Sequence, residues 1–384
     1  MRYESGRESF ENYMKRFLEE FDSQKQYVIF GSARKAKIVR EKIANVLCYV
    51  DNDERKWGTQ LEGLEIKNPE ILKTMPHVKI IVASTQFLAI FEQLKGYGIP
   101  ESNYCDFREM LMIAEYMQEQ RICVPEAYFV NGNRCTLSCK GCIEYIPYIE
   151  RKRDFLLEEI TESLDDFFGC VDYCENIWFS GGETLLHRQL GEMIKHAYEK
   201  YVATGKAKKI CITTNATIVP PKEVSLMLKR YNVEVYMSDY HETIGERCRV
   251  DELVELFERE GVFYHVERHF GRLDEGKWYD MGSPFRCNNM SEEELKQHYQ
   301  KCTATCWSVW NSKFFICNPV RVNIMSLGNQ GSVHDYVDLK RDSKSKFLMY
   351  YLGYNDKGYF DFCNRCNGVG TLLNKADIRA GEQV

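Results

Sequence analysis

The sequence lacks the features that would place the chain in a membrane or on a nucleic acid. It has no uninterrupted apolar run of the roughly 20 residues that a membrane-spanning helix needs. The opening stretch, MRYESGRESFENYMKRFLEEF, is charged and lacks the apolar core that a secretion signal would have. The chain also has no excess of positive charge, because 51 Lys+Arg are outnumbered by 57 Asp+Glu. General nucleic-acid binders, in contrast, present a basic surface. We therefore expect a cytoplasmic protein with neither a membrane nor a nucleic acid as partner.

The sequence also lacks low-complexity tracts and internal repeats. Hydrophobic residues make up 44% of the chain and aromatic residues 13%, which is enough to bury real cores and excludes a disordered protein. A length of 384 residues predicts two or three domains.

Cysteine, in contrast, is abundant, with 16 residues. Because nothing directs the chain to an oxidising compartment, we expect reduced thiols that bind metal rather than disulfides. Only Cys48 and Cys105 lie in the first 115 residues, whereas three cysteines fall in 135–142 and five in 302–366. This distribution predicts two separate metal sites, while Cys170, Cys174 and Cys211 are interpreted as core residues.

Residues 26–110 alternate between short apolar strands and amphipathic helices, which predicts a small βαβ domain over residues 1–118. The domain resembles the Rossmann-like modules that accompany sugar-modifying enzymes. Its Gly31-Ser32-Ala33 turn lacks the further glycines of a dinucleotide fingerprint, although Asp51 lies where a ribose-binding acid would sit. Nucleotide or nucleotide-sugar binding and a docking or oligomerisation role both remain open. Pro125 marks the boundary to the next domain.

The alternation restarts after residue 127, with strands expected at AYFVN, IWFS, KICITT, VEVYM and VFYHVE. Helix-sized stretches separate these strands, and this pattern predicts an open or closed α/β barrel over residues 119–285. Beyond about residue 285 the pattern loosens into cysteine, asparagine, glycine and aromatic residues.

A cysteine loop directly follows the first of these strands, with Cys135, Cys139 and Cys142 in a C-x3-C-x2-C spacing. Three thiolates can hold three irons of a cubane cluster and leave the fourth iron open to a small molecule. Zinc would require a fourth protein ligand, and no His or Cys follows Cys142 at finger spacing. Three buried core cysteines are the structural alternative.

At these residues the sequence resembles the radical S-adenosylmethionine (radical SAM) superfamily, whose fingerprint is this loop after the first strand of a partial (β/α)6 TIM-type barrel. The resemblance implies that the open iron of a [4Fe-4S] cluster binds SAM. Cleavage of SAM then yields a 5′-deoxyadenosyl radical that removes a hydrogen atom from the substrate. Gly141 stands where the family often has an aromatic residue, and its backbone is expected to meet the adenine.

Further stretches resemble the SAM-binding motifs of the same superfamily in the same order along the chain. The Gly-Gly-Glu motif at the end of the second strand is expected to bind the SAM amino group, although Thr184 replaces the usual proline. The ends of the third and fourth strands are expected to reach the ribose and carboxylate, with helix N-capping as the alternative for Asn215 and Asp239. The expected cofactor-binding residues are Gly141, Ser180, Gly181, Gly182, Glu183, Thr214, Asn215, Ser238 and Asp239.

Five cysteines resemble those of the SPASM and twitch extensions of radical SAM proteins, which hold auxiliary [4Fe-4S] clusters: Cys302, Cys306, Cys317, Cys363 and Cys366. The cysteines suffice for one fully ligated cluster and one spare residue, and the domain is expected to cover residues 286–384. Cys302 is the alternative to Cys306, and a structural zinc site is the alternative to the cluster. The expected ligands are Cys306, Cys317, Cys363 and Cys366.

Two groups of residues are candidates for contact with the substrate. His265, Glu267 and His269 alternate along the fifth strand and therefore share one face, where they bind a hydroxylated substrate or are simply exposed. Cys248, after the fourth strand, is either a hydrogen-atom donor or an ordinary buried thiol.

The sequence therefore predicts a radical SAM oxidoreductase that dehydrogenates a small molecule, preferably a sugar or sugar nucleotide, with the auxiliary cluster as electron acceptor. Its reductant would be a flavodoxin- or ferredoxin-type protein. A radical epimerase that uses Cys248 and a peptide-modifying maturase are the alternatives within the enzyme class. A zinc-stabilised scaffold is the non-enzymatic alternative.

Overall fold

A computed structural model describes residues 8–22, 24–84, 87–268, 277–303, 306–329, 331–369, 374 and 376–384. The chain divides into two compact units, residues 1–122 and 123–384. The expected division into three domains, with boundaries after residues 118 and 285, stays a prediction. In the described part of the chain, no helix has the length and apolar character that a membrane crossing requires.

The first unit is built around a six-stranded sheet in the order β3-β4-β2-β1-β5-β6. All of its neighbouring strands run parallel except the hairpin pair β3 and β4. Strands β1 and β5 are buried along their whole length, as expected for a parallel sheet covered on both faces. The α/β fold expected for this unit is confirmed, while its designation as a Rossmann domain stays a prediction. Its elements are β1 (Tyr27–Phe30), β2 (Val46–Val50), β3 (Gln60–Leu61), β4 (Leu64–Lys67), β5 (Lys79–Val82), β6 (Tyr104–Asp106), α1 (Phe10–Glu20), α2 (Arg34–Lys42), α3 (Phe87–Gly96) and α4 (Phe107–Glu119).

The second unit contains an eight-stranded sheet in the order β11-β10-β9-β8-β7-β13-β14-β15 and a two-stranded ribbon of β12 and β16. Its strands are β7 (Cys123–Val130), β8 (Tyr173–Ser180), β9 (Ala207–Thr214), β10 (Glu234–Asp239), β11 (Phe263–Arg268), β12 (Lys277–Tyr279), β13 (Ser308–Trp310), β14 (Lys313–Phe315), β15 (Val337–Asp338) and β16 (Ala376–Arg379). Its helices are α5 (Leu157–Cys170), α6 (Leu190–Ala197), α7 (Lys222–Arg230), α8 (His241–Ile244), α9 (Val250–Glu260), α10 (Glu292–Lys301), α11 (Asn318–Met325) and α12 (Lys344–Tyr351).

Strands β7 to β11 run parallel and in consecutive order, so their carboxyl ends lie along one edge of the sheet. This arrangement confirms the expected α/β architecture of a partial barrel. The sheet gains a further parallel strand, β13, on the opposite side of β7. Strand β7 begins at Cys123, earlier than expected, and includes Pro125. The proline is tolerated because β13 pairs with β7 only farther along, at Tyr128 and Phe129.

The two faces of the parallel sheet differ in character. On the outer face, Phe129 of β7 contacts Phe167 of α5 edge to face, with ring centroids 5.3 Å apart. On the opposite, inner face, Tyr128 stacks on Trp178, and Trp178 contacts Tyr236. Side chains alternate between the two faces along a strand. These aromatic contacts therefore also tell which face each polar residue at a strand end belongs to.

Candidate functional site

The loop that carries Cys135, Cys139 and Cys142 leaves the carboxyl end of β7. Its entry is fixed by backbone contacts to the 153–154 segment, including Asn133 N–H to Arg153 O at 3.0 Å. Its exit is a tight turn in which Tyr145 N–H donates to Cys142 O at 2.9 Å. The loop thus places its three cysteines after the carboxyl end of β7, at the edge where strands β7 to β11 end.

The sulfur atoms of this loop already face hydrogen-bond donors. The Asn215 side-chain amide and the Leu137 backbone N–H donate to Cys135 Sγ at 3.4 and 3.5 Å. The Gln383 side-chain amide donates to Cys139 Sγ at 3.2 Å. Sulfur accepts weakly when protonated and much better as a metal-bound thiolate, so this donor set fits an iron–sulfur cluster on the loop.

Burial raises the pKa of all three thiols above the ordinary value. The pKa of Cys139 rises to about 11 and that of Cys142 to about 12, and the pKa of Cys135 rises as well. The hydrogen bond from Gln383 opposes this effect at Cys139. The free thiols are therefore protonated near neutral pH, and metal binding has to displace those protons.

Gly181 and Gly182 sit directly against the backbone that enters the cysteine loop. Gly182 N–H donates to Gly132 O at 3.0 Å, and Glu183 N–H donates to Arg134 O at 2.7 Å. A Cβ atom at Gly182 would overlap Arg134 O, and Gly181 has a φ of +150° and leaves no room beside Gly132 O. Glycine is required at both positions so that two segments of this chain can approach each other. The sequence analysis explained the two glycines by the approach of a ligand and did not predict this contact within the chain.

The carboxylate of Glu183 is 3% exposed and accepts three hydrogen bonds from the protein. The donors are Thr214 O–H at 2.7 Å, Asn215 N–H at 2.8 Å and Leu185 N–H at 3.0 Å. Burial is the largest influence on its pKa and raises it, while the three hydrogen bonds act in the opposite direction. Glu183 therefore ties the end of β8 to the end of β9, and its contact with the SAM amino group stays a prediction.

The side chain of Asn215, expected to contact SAM, is engaged with the cysteine loop. Besides Cys135, its amide donates to Thr136 Oγ1 at 3.0 Å, and its oxygen accepts the Thr217 N–H at 3.1 Å. The structure thus brings Glu183, Thr214 and Asn215 together beside Cys135.

Ser238 and Asp239, at the end of β10, point to opposite faces of the sheet. Ser238 pairs in register with Glu267, and Asp239 is buried. Asp239 Oδ1 accepts from His241 N–H at 3.1 Å and lies 2.8 Å from His241 Nδ1, so it also caps the following turn. The buried thiol of Cys248 donates to the same oxygen at 3.7 Å. The ligand atoms of Asp239, His241 and Cys248 all lie within 4.8 Å of one another.

The expected substrate residues of β11 lie on the inner face. His265 stacks on Tyr236 with ring centroids 4.4 Å apart, and its Nε2 is 3.5 Å from Glu234 Oε2. Both His265 and Glu267 are exposed. His269 lies outside the described residues.

Sequence reasoning missed the aromatic residues of the inner face. Tyr128, Trp178, Tyr236 and His265 form a continuous row, and Trp178 and Tyr236 meet beside the smaller Cys211. The Trp178 side chain is 9% exposed, and its Nε1–H has no hydrogen-bond partner among the residues that the structure describes. A buried donor without a partner is costly unless a ligand supplies the acceptor. Two-residue alternation along β7, β8 and β10 is the sequence signal that would have placed these rings on one face.

The second set of cysteines gathers Cys302, Cys317, Cys363 and Cys366. Burial raises the pKa of the Cys363, Cys366 and Cys317 thiols, and the neighbouring Cys302 adds to this effect at all three. Their backbone surroundings supply donors, because Val369 N–H points to Cys302 Sγ at 3.4 Å and Gly368 N–H to Cys366 Sγ at 3.3 Å. This donor set fits a second cluster in the same way as the first.

Cys306, chosen from the sequence as a ligand, has different surroundings. Burial raises the pKa of its thiol to about 12, and the charges that act on it most are those of Glu144 and Arg321. Arg321 is fully buried, and its Nη2 donates to both carboxylate oxygens of Glu144 at 2.6 Å. Because Glu144 follows Cys142 and Arg321 follows Cys317, this pair joins the two cysteine regions.

In the first unit, the acid considered for ribose binding is already engaged. The carboxylate of Asp51 accepts from the Ser32 hydroxyl, from Lys56 Nζ at 3.0 Å and from Asp53 N–H at 2.9 Å. Gly31 adopts a φ of +109°, and a Cβ there would lie 2.9 Å from Ala83 O. These contacts give the turn a structural explanation.

Two regions of the chain match models of known protein families. Residues 130–261 match the family model "Radical SAM superfamily". Residues 23–104 match the model "C2185-like, N-terminal". No curated protein matches the sequence.

Three solved structures illustrate the similarities, all at low identity. BtrN in complex with AdoMet and 2-DOIA is 14% identical, covers 67% of this chain and 98% of its own, and has a TM-score of 0.39. SuiB from Streptococcus suis bound to S-adenosylmethionine is 14% identical over 44% of this chain and 38% of its own, with a TM-score of 0.30. UDP-D-quinovosamine 4-dehydrogenase from Vibrio fischeri is 21% identical over 20% of this chain and 73% of its own, with a TM-score of 0.18. These scores are too low to add to the argument.

The family match covers the end of β7, the whole cysteine loop and the glycine-rich end of β8, which are the segments that the geometry brings together. The hydrogen-bond donors around the loop sulfurs fit the metal group that this family carries. Residues 130–261 are therefore a radical SAM domain, with S-adenosylmethionine and a [4Fe-4S] cluster as its cofactors.

Proposed function

We propose that the protein is a radical SAM oxidoreductase that removes two electrons and two protons from a hydroxylated small molecule. The observation that carries this proposal is the donor-lined cysteine loop at the carboxyl edge of the barrel sheet, within the matched domain. Cys135, Cys139 and Cys142 hold the first cluster, and the ends of β8, β9 and β10 contact SAM. When bound, these cofactors supply the 5′-deoxyadenosyl radical that takes a hydrogen atom from the substrate.

The second cysteine set supplies the electron acceptor. We assign its ligands to Cys302, Cys317, Cys363 and Cys366, because Cys302 adds to the raised pKa of the other three thiols. At Cys306, in contrast, Glu144 and Arg321 act more strongly on the pKa than Cys302 does. The oxidation of a carbon–hydroxyl group then balances. One hydrogen atom goes to deoxyadenosine, the hydroxyl proton goes to a base, and the remaining electron goes to the second cluster.

The inner face of the sheet is the proposed substrate site. The row of Tyr128, Trp178 and Tyr236 offers flat apolar faces for the C–H side of a sugar ring. The unpartnered Trp178 N–H can donate to a hydroxyl oxygen, and the exposed His265 and Glu267 on the neighbouring strand can accept hydroxyl protons. These groups favour a sugar or sugar nucleotide, and a flavodoxin- or ferredoxin-type protein would deliver the electrons.

Isotope transfer tests the proposed oxidation. A panel of sugars and sugar nucleotides, each deuterated at ring carbons, is incubated with the reconstituted enzyme, SAM and dithionite. We expect one active member to transfer deuterium into 5′-deoxyadenosine and to give one carbonyl product per SAM consumed. Deuterium transfer to deoxyadenosine from a peptide but from no sugar would contradict the proposed substrate class and favour a peptide-modifying enzyme.

An epimerase is the second candidate, favoured by the environment of Cys248. Burial raises the pKa of this thiol and its hydrogen is directed at Asp239, so it stays protonated, which is the form that donates a hydrogen atom. In deuterium oxide, an epimerase would place solvent deuterium in a stereoinverted product, and Cys248→Ala would stop that incorporation. A carbonyl product with unchanged yield in Cys248→Ala would instead support the oxidase.

A further inference from the structure

The segment of residues 378–384 lies along the cysteine loop as an extended partner. Lys140 N–H donates to Glu382 O at 2.7 Å, and Val384 N–H donates to Ser138 O at 2.8 Å. Cys139 and Gln383 form an antiparallel bridge between these two contacts. The middle cysteine of the loop is therefore held from both sides of its backbone by a segment far away in the sequence.

The side chain of Gln383 fits this position with every polar atom used. Its Oε1 accepts the Ser138 N–H at 2.9 Å, and its Nε2 donates to Cys139 Sγ at 3.2 Å and to Gly381 O at 2.6 Å. Because Ser138 N–H can only donate and Gly381 O can only accept, the orientation of the amide is determined. The N–H group must face the sulfur.

Other contacts fix the segment on the barrel. Thr243 O–H donates to Ala380 O at 2.8 Å, and Gly381 adopts a φ of +75° where a Cβ would lie 2.8 Å from Tyr240 Cγ. Ile378 packs against Gly141, so that a Cβ at residue 141 would lie 2.9 Å from Ile378 Cδ1. The space beside the loop that a side chain at position 141 would occupy is thus filled from the 378–384 segment.

We propose that Gln383 is a positioning residue of the SAM-binding cluster, and that it raises the reduction potential of that cluster through its hydrogen bond to the Cys139 sulfur. The inference rests on the cluster of the radical SAM domain. Reduction adds negative charge to the cluster and its thiolates, and an N–H donor at a ligand sulfur stabilises that added charge. The same contact shields Cys139 and slows loss of iron from the loop.

Two substitutions separate this role from simple support of the fold. Gln383→Met keeps the length of the side chain but has no N–H donor. Gln383→Glu keeps the acceptor for Ser138 N–H and places a negative charge beside the sulfur. Val384→Ala is the matched control, because that side chain is 79% exposed on the same segment and its backbone contact to Ser138 is retained.

The test is a potentiometric titration in which electron paramagnetic resonance records the signal of the reduced cluster. The SAM-binding cluster is identified as the one whose signal shifts when SAM is added. We expect the potential to become more negative in the order wild type, Gln383→Met, Gln383→Glu, with Val384→Ala at the wild-type value. Iron release from this cluster to a chelator should be about tenfold faster in Gln383→Met. Equal potentials in wild type and both Gln383 variants, with normal iron content, would overturn the inference. Absence of any SAM-responsive signal in the wild type would instead overturn the cofactor assignment itself.

Discussion

At the scale of one residue, Glu183 is both a structural link between strand ends and a candidate ligand of SAM. Its carboxylate holds Thr214, Asn215 and Leu185, and Asn215 in turn donates to the sulfur of Cys135. A change at Glu183 therefore reaches the cluster loop through Asn215. The residue is as much a link between strand ends as a candidate ligand of SAM.

Replacement of Glu183 by glutamine should lower the free energy of unfolding by about 1–3 kcal/mol, because one backbone N–H then faces an amide donor instead of an acceptor. Chemical denaturation of the reconstituted protein measures the change. Glu175→Gln is the control on the same strand, where the exposed pair with Lys208 makes a change within about 0.5 kcal/mol the expectation. A Glu183→Gln protein as stable as wild type would show that the hydrogen bond lost in this variant does not support the fold.

Some residues of the site could be predicted from local pattern and others could not. The cysteine spacing and the Gly-Gly-Glu sequence are local, and they identified Cys135, Cys139, Cys142 and Glu183 as candidates. Gln383 could not be found this way, because its contact with Cys139 joins residues at opposite ends of the second unit. The same holds for Arg321 and Glu144, which lie 177 residues apart in the sequence and meet only in the folded chain.

At the scale of elements, helix α10 supports the proposed choice of Cys302 as a ligand of the second set. The helix begins with a Ser291–Glu294 capping box and ends at Lys301, so Cys302 follows as its C-terminal neighbour and receives the Val369 N–H. Cys306 instead lies at the approach to β13, where its backbone N–H donates to Ile316 O. Spacing along the sequence alone left both residues possible.

We expect Cys302→Ala to lose about four irons per chain after anaerobic reconstitution, and Cys306→Ala to keep the wild-type number. Colorimetric iron assay against protein concentration measures both. Cys287→Ala serves as the control, because Cys287 is exposed and lies outside both sets. Loss of iron from Cys306→Ala with full retention in Cys302→Ala would reverse the assignment.

The hydrophobic periodicity of the sequence predicts a strand well where burial of alternate residues produces that periodicity. Strand β10 alternates between buried and half-buried residues and lies close to the expected position. Strands β8 and β9 end at the expected residues but begin earlier, in the polar stretches that precede their apolar runs. The expected β7 begins too late because Pro125 suggests a break, whereas the strand accommodates this proline before the point where β13 begins to pair with it. The neighbour relation of β13 and β7 could not be read from local sequence, because it depends on long-range pairing.

At the scale of the whole molecule, the second unit contains two cysteine sets joined by the buried Glu144–Arg321 pair. The ligands of each set come from different segments, so the loss of one cluster should leave the other largely intact. The central claim is therefore that one unit holds two clusters with separate tasks. In the proposed function, the first would make SAM cleavage possible, and the second would accept an electron from the substrate.

Parallel measurement of iron and of 5′-deoxyadenosine tests this claim most directly. Wild type should hold about eight irons per chain and form deoxyadenosine with SAM and dithionite. A variant with alanine at Cys135, Cys139 and Cys142 should keep about four irons and form none, while Cys363→Ala with Cys366→Ala should keep about four and still form it. Deoxyadenosine from the loop variant, or a wild-type iron content in either variant, would contradict the account.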